Sequence, residues 1–484
     1  MVHTTYGAIG SGYWIRFHHI QARAWTVAGF VGMLTACLET ARIRTEPVSD
    51  AKVGARESRY QRDYFLEAPE PPSPGPSSFA PEKPLSPLAI YSEEYWAALA
   101  QLDMTAFHTA AQTEPEIGFA EGIALLAAGA PEKAESTFVA MSRQAIDVNV
   151  AVASQMMLAS TLMYEQKWTI LRDLAINTSL GPLDRRNTSD LEQWGHAFAS
   201  VDPPTTTFPE RPATLQLEVT DAGTPAVRVR INGKEYEFWL DTGSSMTVLS
   251  SRVAEAVNVP IISSDTLKVR TFEGIAPVRP GVVSRMEIGP VVFTNTPAMV
   301  MDASLMRLRA GAEGATGQGM RVDGIIGWDI IRQLDIVLDY RNGTIILGRP
   351  ARLARNGTAF QNLAWLGKPL VEVRTESGKT LHFTLDTGAQ ASFLNASMVE
   401  TVGARTRASH ARVFGIARTG SRTERVVPAL MLEIGGKRVR LEDVIVYGPP
   451  APSLINCDGI LGSDIAHLGQ IRIDATNGVF SVEG

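Results

Sequence analysis

The sequence contains few of the residues that would indicate a disulfide scaffold or a metal protein. Only two cysteines occur in 484 residues, Cys37 and Cys457, and they lie far apart in the chain. No disulfide framework is therefore expected, and Cys457 is predicted to be a small buried core residue. The eight histidines show no spacing typical of metal ligands. We therefore predict no metal ion and no other cofactor.

The chain also lacks the basic surface that nucleic-acid binding requires. Its formal net charge is −6, and no stripe of lysine and arginine alternates with aromatic residues. The composition, 45% hydrophobic and 20% charged, is that of a globular protein. A chain of this length is expected to fold as about two to four domains. We predict no nucleic-acid partner.

The N-terminal segment has the pattern of an export signal. Residues 1–23 contain basic residues and no acidic ones, and the apolar run at 24–37 ends on small residues. That run is shorter than the about 20 residues that span a bilayer. Residues 34–37 resemble the bacterial lipobox, which implies a signal peptide at 1–36 and a lipid attached to Cys37. The alternatives are an ordinary signal peptide and a buried cysteine that matches the lipobox by chance. We expect a lipid-anchored protein of the bacterial cell envelope that faces the periplasm, at the outer membrane.

Two stretches of different composition follow the signal. Residues 37–88 are polar and then proline-rich, which predicts a disordered tether because such a segment buries too little apolar surface to fold. Residues 89–200 are rich in alanine, leucine, methionine and glutamate at helical spacing, which predicts an α-helical domain. Its segment 120–138 resembles a tetratricopeptide hairpin, so the domain could bind a protein partner. A plain helical bundle that packs on the next domain is the other interpretation.

The rest of the chain is rich in strands and contains one series of features twice. Each copy has a β-hairpin that ends in Asp-Thr-Gly, at Asp241 and at Asp386. Each then has an apolar-apolar-Gly motif, which ends at Gly327 and at Gly462, and a closing hairpin with an Asn-Gly turn. Features that recur in the same order indicate duplicated lobes. We predict lobe 1 at 210–350 and lobe 2 at 356–484.

This paired pattern resembles two protomers of a retroviral-type aspartic peptidase fused in one chain. It is similar to the retropepsin-like aspartic peptidases of bacteria, and the resemblance covers about residues 213–484. It implies an all-β, two-lobed acid-protease fold that follows the helical domain. Dimerisation is not required for the active site, because both halves are present in the chain.

Asp241 and Asp386 are the predicted catalytic residues. Peptide hydrolysis without a metal or a covalent nucleophile needs one group that takes a proton from water and another that protonates the carbonyl oxygen. Two adjacent carboxyl groups that share a proton divide these tasks. The sequence thus predicts an aspartic endopeptidase whose partner is a peptide or protein substrate. The alternatives are an inactive peptide-binding or scaffold lipoprotein of the same fold and a structural envelope lipoprotein.

Further residues are expected to support the two active-site loops. The resemblance implies that the threonines bond across the lobe junction and that the apolar-Gly motifs hold each loop rigid. We expect the Ser244 hydroxyl to donate to a carboxylate, which Ala389 cannot do, and to favour action at a milder pH than that of a strongly acidic digestive enzyme. The predicted support residues are Thr242, Gly243, Ser244, Thr387, Gly388, Ala389, Ile326, Gly327, Leu461 and Gly462.

Each lobe is also expected to supply a flap that closes on the substrate. Two segments between the motifs share a phenylalanine and Gly-Ile-Ala. The flap candidates are Phe272, Gly274, Ile275, Phe414, Gly415 and Ile416. Asp329 and Asp464 follow the apolar-Gly motifs at the start of predicted short helices. We attribute both to helix capping and assign them no catalytic role.

Overall fold

The computed structural model describes most of the chain from residue 94 onward. The described residues are 41–43, 94–143, 147–174, 193–220, 223–263, 267–271, 274–308, 320–351, 361–409, 412–414, 419–421, 424–448 and 454–483. The predicted signal with Cys37 and nearly all of the predicted tether lie outside these residues, as do Phe272, Gly415 and Ile416 of the predicted flaps.

The helical part begins at Glu94, and side chains cap several of its helices. The side chain of Asp103 accepts a hydrogen bond from the N–H of Ala106, and Thr113 and Glu116 form a capping box. Among the helices described, none is long and apolar enough to cross a membrane. The helices are α1 (Glu94–Ala100), α2 (Met104–Ala110), α3 (Glu114–Ala127), α4 (Pro131–Ser142), α5 (Val148–Tyr164), α6 (Trp168–Arg172) and α7 (193–198).

Helices α3 and α4 form a hairpin over the segment that resembles a tetratricopeptide unit. A Cβ atom on Gly118 would overlap Met141, and one on Gly122 would overlap the ring of Phe138. The buried rings of Phe119 and Phe138 lie 5.8 Å apart between centroids. Small residues at the two glycine positions therefore allow the two helices to approach closely.

Lobe 1 contains six strands that close into a barrel, because β9 pairs with both β5 and β10. In ring order the barrel strands are β5 (Pro225–Ile231), β6 (Lys234–Leu240), β13 (Gly324–Ile326), β7 (Val248–Ser250), β10 (Val291–Met301) and β9 (Gly274–Ile288). The additional elements of the lobe are β2 (Thr205–Thr207), β4 (Glu218–Val219), β8 (Leu267–Thr271), β11 (Arg307–Leu308), β12 (Met320–Arg321), α8 (Ser251–Ala256) and α9 (Trp328–Ile331).

Lobe 2 repeats this barrel with the same order of equivalent strands. Its ring is β17 (Pro369–Thr375), β18 (Thr380–Leu385), β25 (Gly459–Leu461), β19 (Phe393–Asn395), β24 (Lys437–Tyr447) and β23 (Glu424–Ile434). Strands β16 (Leu363–Trp365) and β20 (Arg407–Ser409) extend the edges, and 3₁₀ turns lie at Ala396–Met398 and Ser463–Leu468. Strand β21 (Arg412–Phe414) pairs with β22 (Thr419–Ser421) and with β1 (Ala41–Ile43).

The first hairpin of each lobe follows directly from its sequence pattern. In β5, Val227, Val229 and Ile231 are buried, and the arginines between them are exposed. The turn uses Asn232 and Gly233 with φ angles of 46° and 88°. Two consecutive positive φ values twist the chain in the sense that adjacent antiparallel strands require. The predicted hairpin is therefore confirmed, and it carries the chain to Asp241.

A five-stranded sheet joins the two lobes. It consists of β3 (Ala213–Gln216), β15 (Thr344–Gly348), β14 (Asp335–Asp339), β26 (Gln470–Asp474) and β27 (Val479–Glu483). The closing hairpin of lobe 1 meets that of lobe 2 where β14 pairs with β26, with Leu338 opposite Ile471. Both side chains belong to one hydrophobic core that extends through both barrels. The lobes are therefore a single packed unit, and the predicted all-β, two-lobed fold preceded by helices is confirmed.

The helical part packs against both lobes. The rings of Tyr164 and Trp365 lie 4.2 Å apart between centroids, and the guanidinium of Arg332 lies 4.2 Å from the Tyr164 ring. The N–H of Asn456 donates to the carbonyl of Ala100 over 3.0 Å. These contacts connect the helices to lobe 1 through α9 and to lobe 2 through the segment that precedes β25.

Candidate active site

Asp241 and Asp386 are placed by matching strand pairings. Each follows a strand that runs parallel to the strand of the apolar-Gly motif, with Leu240 opposite Ile326 and Leu385 opposite Leu461. The N–H of Asp241 donates to the carbonyl of Ile326 over 3.0 Å, and that of Asp386 to Leu461 over 2.9 Å. Ile326 and Leu461 therefore hold the predicted catalytic residues through backbone hydrogen bonds.

The two threonines of the Asp-Thr-Gly motifs bond across the lobe junction. The hydroxyl of Thr242 donates to the carbonyl of Leu385 over 2.9 Å, and that of Thr387 donates to Leu240 over 2.7 Å. Each hydroxyl also accepts the N–H of the other threonine, at 3.1 and 3.0 Å. Four buried hydrogen bonds thus link the two loops, in the arrangement that the family resemblance implied.

The glycines of the motifs lie against the carboxyl group of the opposite lobe. A Cβ atom on Gly243 would overlap the carboxyl of Asp386, and one on Gly388 would overlap the carboxyl of Asp241. Because each glycine adjoins the opposite aspartate, the two carboxyl groups lie beside each other at the junction. No other residue type would fit at these two positions.

The surroundings of the two carboxyl groups favour a shared proton. The Oδ1 atom of Asp241 accepts the N–H groups of Gly243 and Ser244 at 2.8 and 3.0 Å. Oδ1 of Asp386 accepts those of Gly388 and Ala389 at 3.1 and 3.2 Å. Both aspartates are 1% exposed. Burial and the neighbouring carboxyl raise the pKa of Asp241 well above its ordinary range, although its two N–H donors oppose the shift. The pair therefore titrates as one unit.

The prediction for the Ser244 hydroxyl is wrong. This hydroxyl donates to the carbonyl of Met246 over 2.7 Å. The group of Ser244 that reaches Asp241 is the backbone N–H, and Ala389 uses the same group for Asp386. The two loops therefore give their carboxylates equivalent donors, and the serine provides no reason to expect a milder working pH.

Asp329 and Asp464 have contacts that the capping interpretation did not foresee. Each lies in the first turn of its short helix, as the capping interpretation expects, and the N-cap residues themselves are Gly327 and Gly462. The aspartate side chains accept hydrogen bonds from Thr247 and Ser392. Thr247 and Ser392 were missed by the sequence analysis. The detectable signal was a hydroxyl residue at the same position after each Asp-Thr-Gly.

The flap segments have the expected position between the two motifs. In lobe 1, Gly274 and Ile275 begin β9 and pair with Thr271 and Arg270 of β8. In lobe 2, Phe414 ends β21 and pairs with Thr419. Hairpins at these positions are compatible with flaps.

One comparison with known protein families supports this arrangement. A family model described as aspartyl protease matches residues 227–330 and 371–465, one segment in each lobe. A solved structure of a retropepsin-like aspartic protease from Rickettsia conorii matches at 15% identity, with 30% of this chain and 95% of that chain covered and a TM-score of 0.20. No match was found among curated proteins. The family match, which includes both active-site loops, supports chemistry of the aspartic-protease type.

Proposed function

We propose that this protein is an aspartic endopeptidase that hydrolyses peptide bonds with a water molecule activated by Asp241 and Asp386. The observation that carries the proposal is the pair of buried carboxyl groups that two duplicated loops bring together. The raised pKa of Asp241 supports it, because a proton shared by the pair is the ionisation state that this reaction needs.

In this mechanism the ionised member of the pair takes a proton from the water that attacks the peptide carbonyl. The protonated member gives its proton to the carbonyl oxygen, which forms a neutral tetrahedral intermediate. Collapse of this intermediate breaks the C–N bond: the protonated member of the pair gives its proton to the leaving amine, and the ionised member takes a hydroxyl proton from the intermediate. The products are a carboxylic acid and an amine, and the pair again holds one proton. The threonine bonds across the junction keep the two carboxyl groups at a fixed separation during these transfers.

The cellular setting is part of the proposal. A lipid on Cys37 would hold the protein at the periplasmic side of the cell envelope, with the proline-rich segment as a spacer. The helical part would then contact a protein partner or position the peptidase. An inactive peptide-binding lipoprotein of the same fold is the alternative outcome.

The test is cleavage of a peptide library by the purified protein, with and without a statine-type inhibitor. We expect cleavage that the inhibitor blocks and that falls at least about 10³-fold in Asp241→Asn and in Asp386→Asn, as losses of essential catalytic groups do. Glu442→Gln is the matched control, because this exposed carboxylate lies on the outside of lobe 2. Cleavage that survives both active-site substitutions would overturn the proposal. Peptide binding without cleavage by the wild type would favour the alternative.

A further inference from the structure

A second pair of carboxyl groups lies behind the active-site loops. Asp329 belongs to α9 and Asp464 to the 3₁₀ turn Ser463–Leu468, at equivalent positions after the apolar-Gly motifs. Asp329 is buried, with 5% of its surface exposed, and Asp464 is half-buried. The proposed peptidase mechanism gives these two groups no role.

Each of these carboxyl groups binds a hydroxyl residue of the active-site loop in its own lobe. In lobe 2, the hydroxyl and the N–H of Ser392 donate to the two oxygens of Asp464 over 2.6 and 2.8 Å. In lobe 1, the hydroxyl of Thr247 donates to Oδ1 of Asp329 over 3.0 Å. The same hydroxyls accept the N–H groups of Gly462 and Gly327, at 3.0 and 3.4 Å. Each carboxyl is thereby connected to both the loop and the apolar-Gly motif.

Each active-site loop is also fixed at the residue whose N–H donates to the catalytic carboxyl group, which is Ser244 in lobe 1 and Ala389 in lobe 2. The carbonyl of Ser244 accepts the N–H of Trp328 over 2.6 Å, and the carbonyl of Ala389 accepts the N–H of Ser463 over 2.5 Å. Ser244 and Ala389 are the residues whose own N–H groups donate to Asp241 and Asp386. A shift of the loop would therefore move these N–H donors relative to the catalytic carboxyl groups.

We propose that Asp329 and Asp464 are positioning residues, each of which holds the active-site loop of its own lobe through the hydroxyl of Thr247 or Ser392. The consequence for catalysis rests on the proposed peptidase function. The hold on the loop is a property of the fold and can be tested without catalysis.

The two links from carboxyl group to loop differ in the hydrogen bonds that the carboxyl oxygens accept. Asp464 has two donors from Ser392, whereas Oδ2 of Asp329 has no hydrogen-bond partner among the described residues. Burial raises the pKa of Asp329 to about 7, against the opposing effects of Thr247 and of Arg332 in the next turn. Arg332 is the charged group of the described chain that acts on Asp329, and Thr247 faces it from the active-site loop.

This difference makes the lobe 1 hold sensitive to pH. A neutral Asp329 accepts the Thr247 hydroxyl at little cost, whereas an ionised one is a buried charge whose Oδ2 has no hydrogen bond from the described residues. As the pH rises through about 7, Asp329 ionises, and although Thr247 favours the ionised form, the cost of the buried charge favours an opened loop in which water reaches the carboxylate. In lobe 2 both oxygens of Asp464 have a donor from Ser392, and this link is expected to persist.

The first experiment measures amide hydrogen exchange by mass spectrometry in peptides that contain residues 241–247 or 386–392. Asp329→Ala is expected to speed exchange in the first peptide only, and Asp464→Ala in the second only, each about 10-fold or more. Thr247→Val should reproduce Asp329→Ala, and Thr247→Ser should restore protection. If Asp329→Ala does not fold, the Thr247→Val and Thr247→Ser pair decides the same question. Equal exchange in folded alanine or valine variants and wild type would overturn the proposal.

The second experiment measures kcat and KM against pH. Asp329→Asn keeps an oxygen for the Thr247 hydroxyl but cannot ionise, so its activity is expected to persist to a higher pH than in the wild type. Asp464→Asn should lower kcat but should not extend activity to a higher pH. Neither variant should change KM much. If kcat falls at the same alkaline pH in Asp329→Asn and in the wild type, ionisation of Asp329 does not release the lobe 1 loop. If the wild type cleaves no peptide, the proposed function fails, and hydrogen exchange still decides whether the loops are held.

Discussion

The two lobes give the catalytic carboxyl groups matching backbone donors among the described residues, and they differ in the charged side chains further from the junction. Both supply a threonine across the junction, a glycine against the opposite carboxyl and two backbone N–H donors. Further from the junction, Asp323 of lobe 1 pairs with Arg252. Its equivalent in lobe 2, Asp458, accepts the backbone N–H of His382 instead. The junction tolerates little change because both lobes meet there, whereas each barrel can vary on its own.

The glycines of the junction provide the most severe test of this equivalence. Gly243→Ala and Gly388→Ala would each place a Cβ atom inside the space of the opposite carboxyl group. We expect both to reduce kcat/KM at least about 100-fold and to lower stability by about 1–3 kcal/mol, as overpacking does. Gly448→Ala is the control, since a Cβ atom there has no neighbour within 4 Å among the described residues. A large effect of one substitution and none of the other would show that the lobes are not equivalent at the site.

The junction threonines should give the next largest effect. Thr242→Val or Thr387→Val removes one buried donor and one acceptor and leaves a backbone carbonyl and an N–H unpaired. We expect each to lower the free energy of unfolding by about 1–3 kcal/mol in urea titrations. Thr242→Ser retains both hydrogen bonds and is the control.

Each hydroxyl makes two of the four junction hydrogen bonds and no bond contains both hydroxyls, so the double valine variant should lose about the sum of the single changes. A loss well below that sum would mean that one substitution already disrupts the hydrogen bonds of the other threonine.

The dependence of stability on pH separates the lobes. Burial raises the pKa of Asp329 to about 7 in lobe 1 and that of Asp458 to about 6 in lobe 2. An unfolded aspartate ionises near pH 3.9, so the unfolded state loses its proton first as the pH rises. Each group therefore reduces stability as the pH rises, from about 4 to 7 for Asp329 and from about 4 to 6 for Asp458.

Thermal unfolding across this range measures the effect. Asp329→Asn should flatten the loss of stability between pH 4 and 7, and Asp458→Asn should flatten a smaller part of it, between about pH 4 and 6. His382 has the opposite sign, because burial lowers its pKa to about 4 and stability falls as the pH drops below about 6.5. An unchanged profile in Asp329→Asn would contradict the buried neutral carboxyl.

The smallest effect is expected from the ion pair between the lobes. Arg472 of lobe 2 donates two hydrogen bonds to Asp335 of lobe 1, over 2.7 and 2.8 Å, but its side chain is 44% exposed. Arg472→Ala should lower the free energy of unfolding by less than about 1 kcal/mol, because solvent screens exposed pairs. A loss of several kcal/mol would mean that charge, rather than strand pairing and the shared core, holds the lobes together.

Much of the site could be predicted because its elements recur in the sequence. The alternation in β5 and β6 and the Asn-Gly turn place Asp241 at a strand end, and the copy at Asp386 supplies a partner. The direction of the Ser244 hydroxyl could not be predicted in this way. That direction is set by a tight turn in which the hydroxyl donates to the carbonyl of Met246, two residues later. Short-range geometry of this kind has no counterpart in sequence spacing.

The links from Asp329 to Thr247 and from Asp464 to Ser392 were missed for a related reason. The two residues of each link are 82 and 72 residues apart in the chain, respectively. Only the parallel pairing of the apolar-Gly strand with the Asp-Thr-Gly strand brings them together. Two hydroxyl residues at matching positions were visible in the sequence, but nothing there identified their acceptors.

The sequence alone determined the duplication, the strand hairpins and the identity of the two aspartates, because these follow from local periodicity, turn residues and repeated motifs. The tertiary structure decided how the loops bond across the junction and which groups are buried. It also decided the protonation of Asp241 and Asp329, since a pKa depends on the desolvation and neighbouring charges that packing creates.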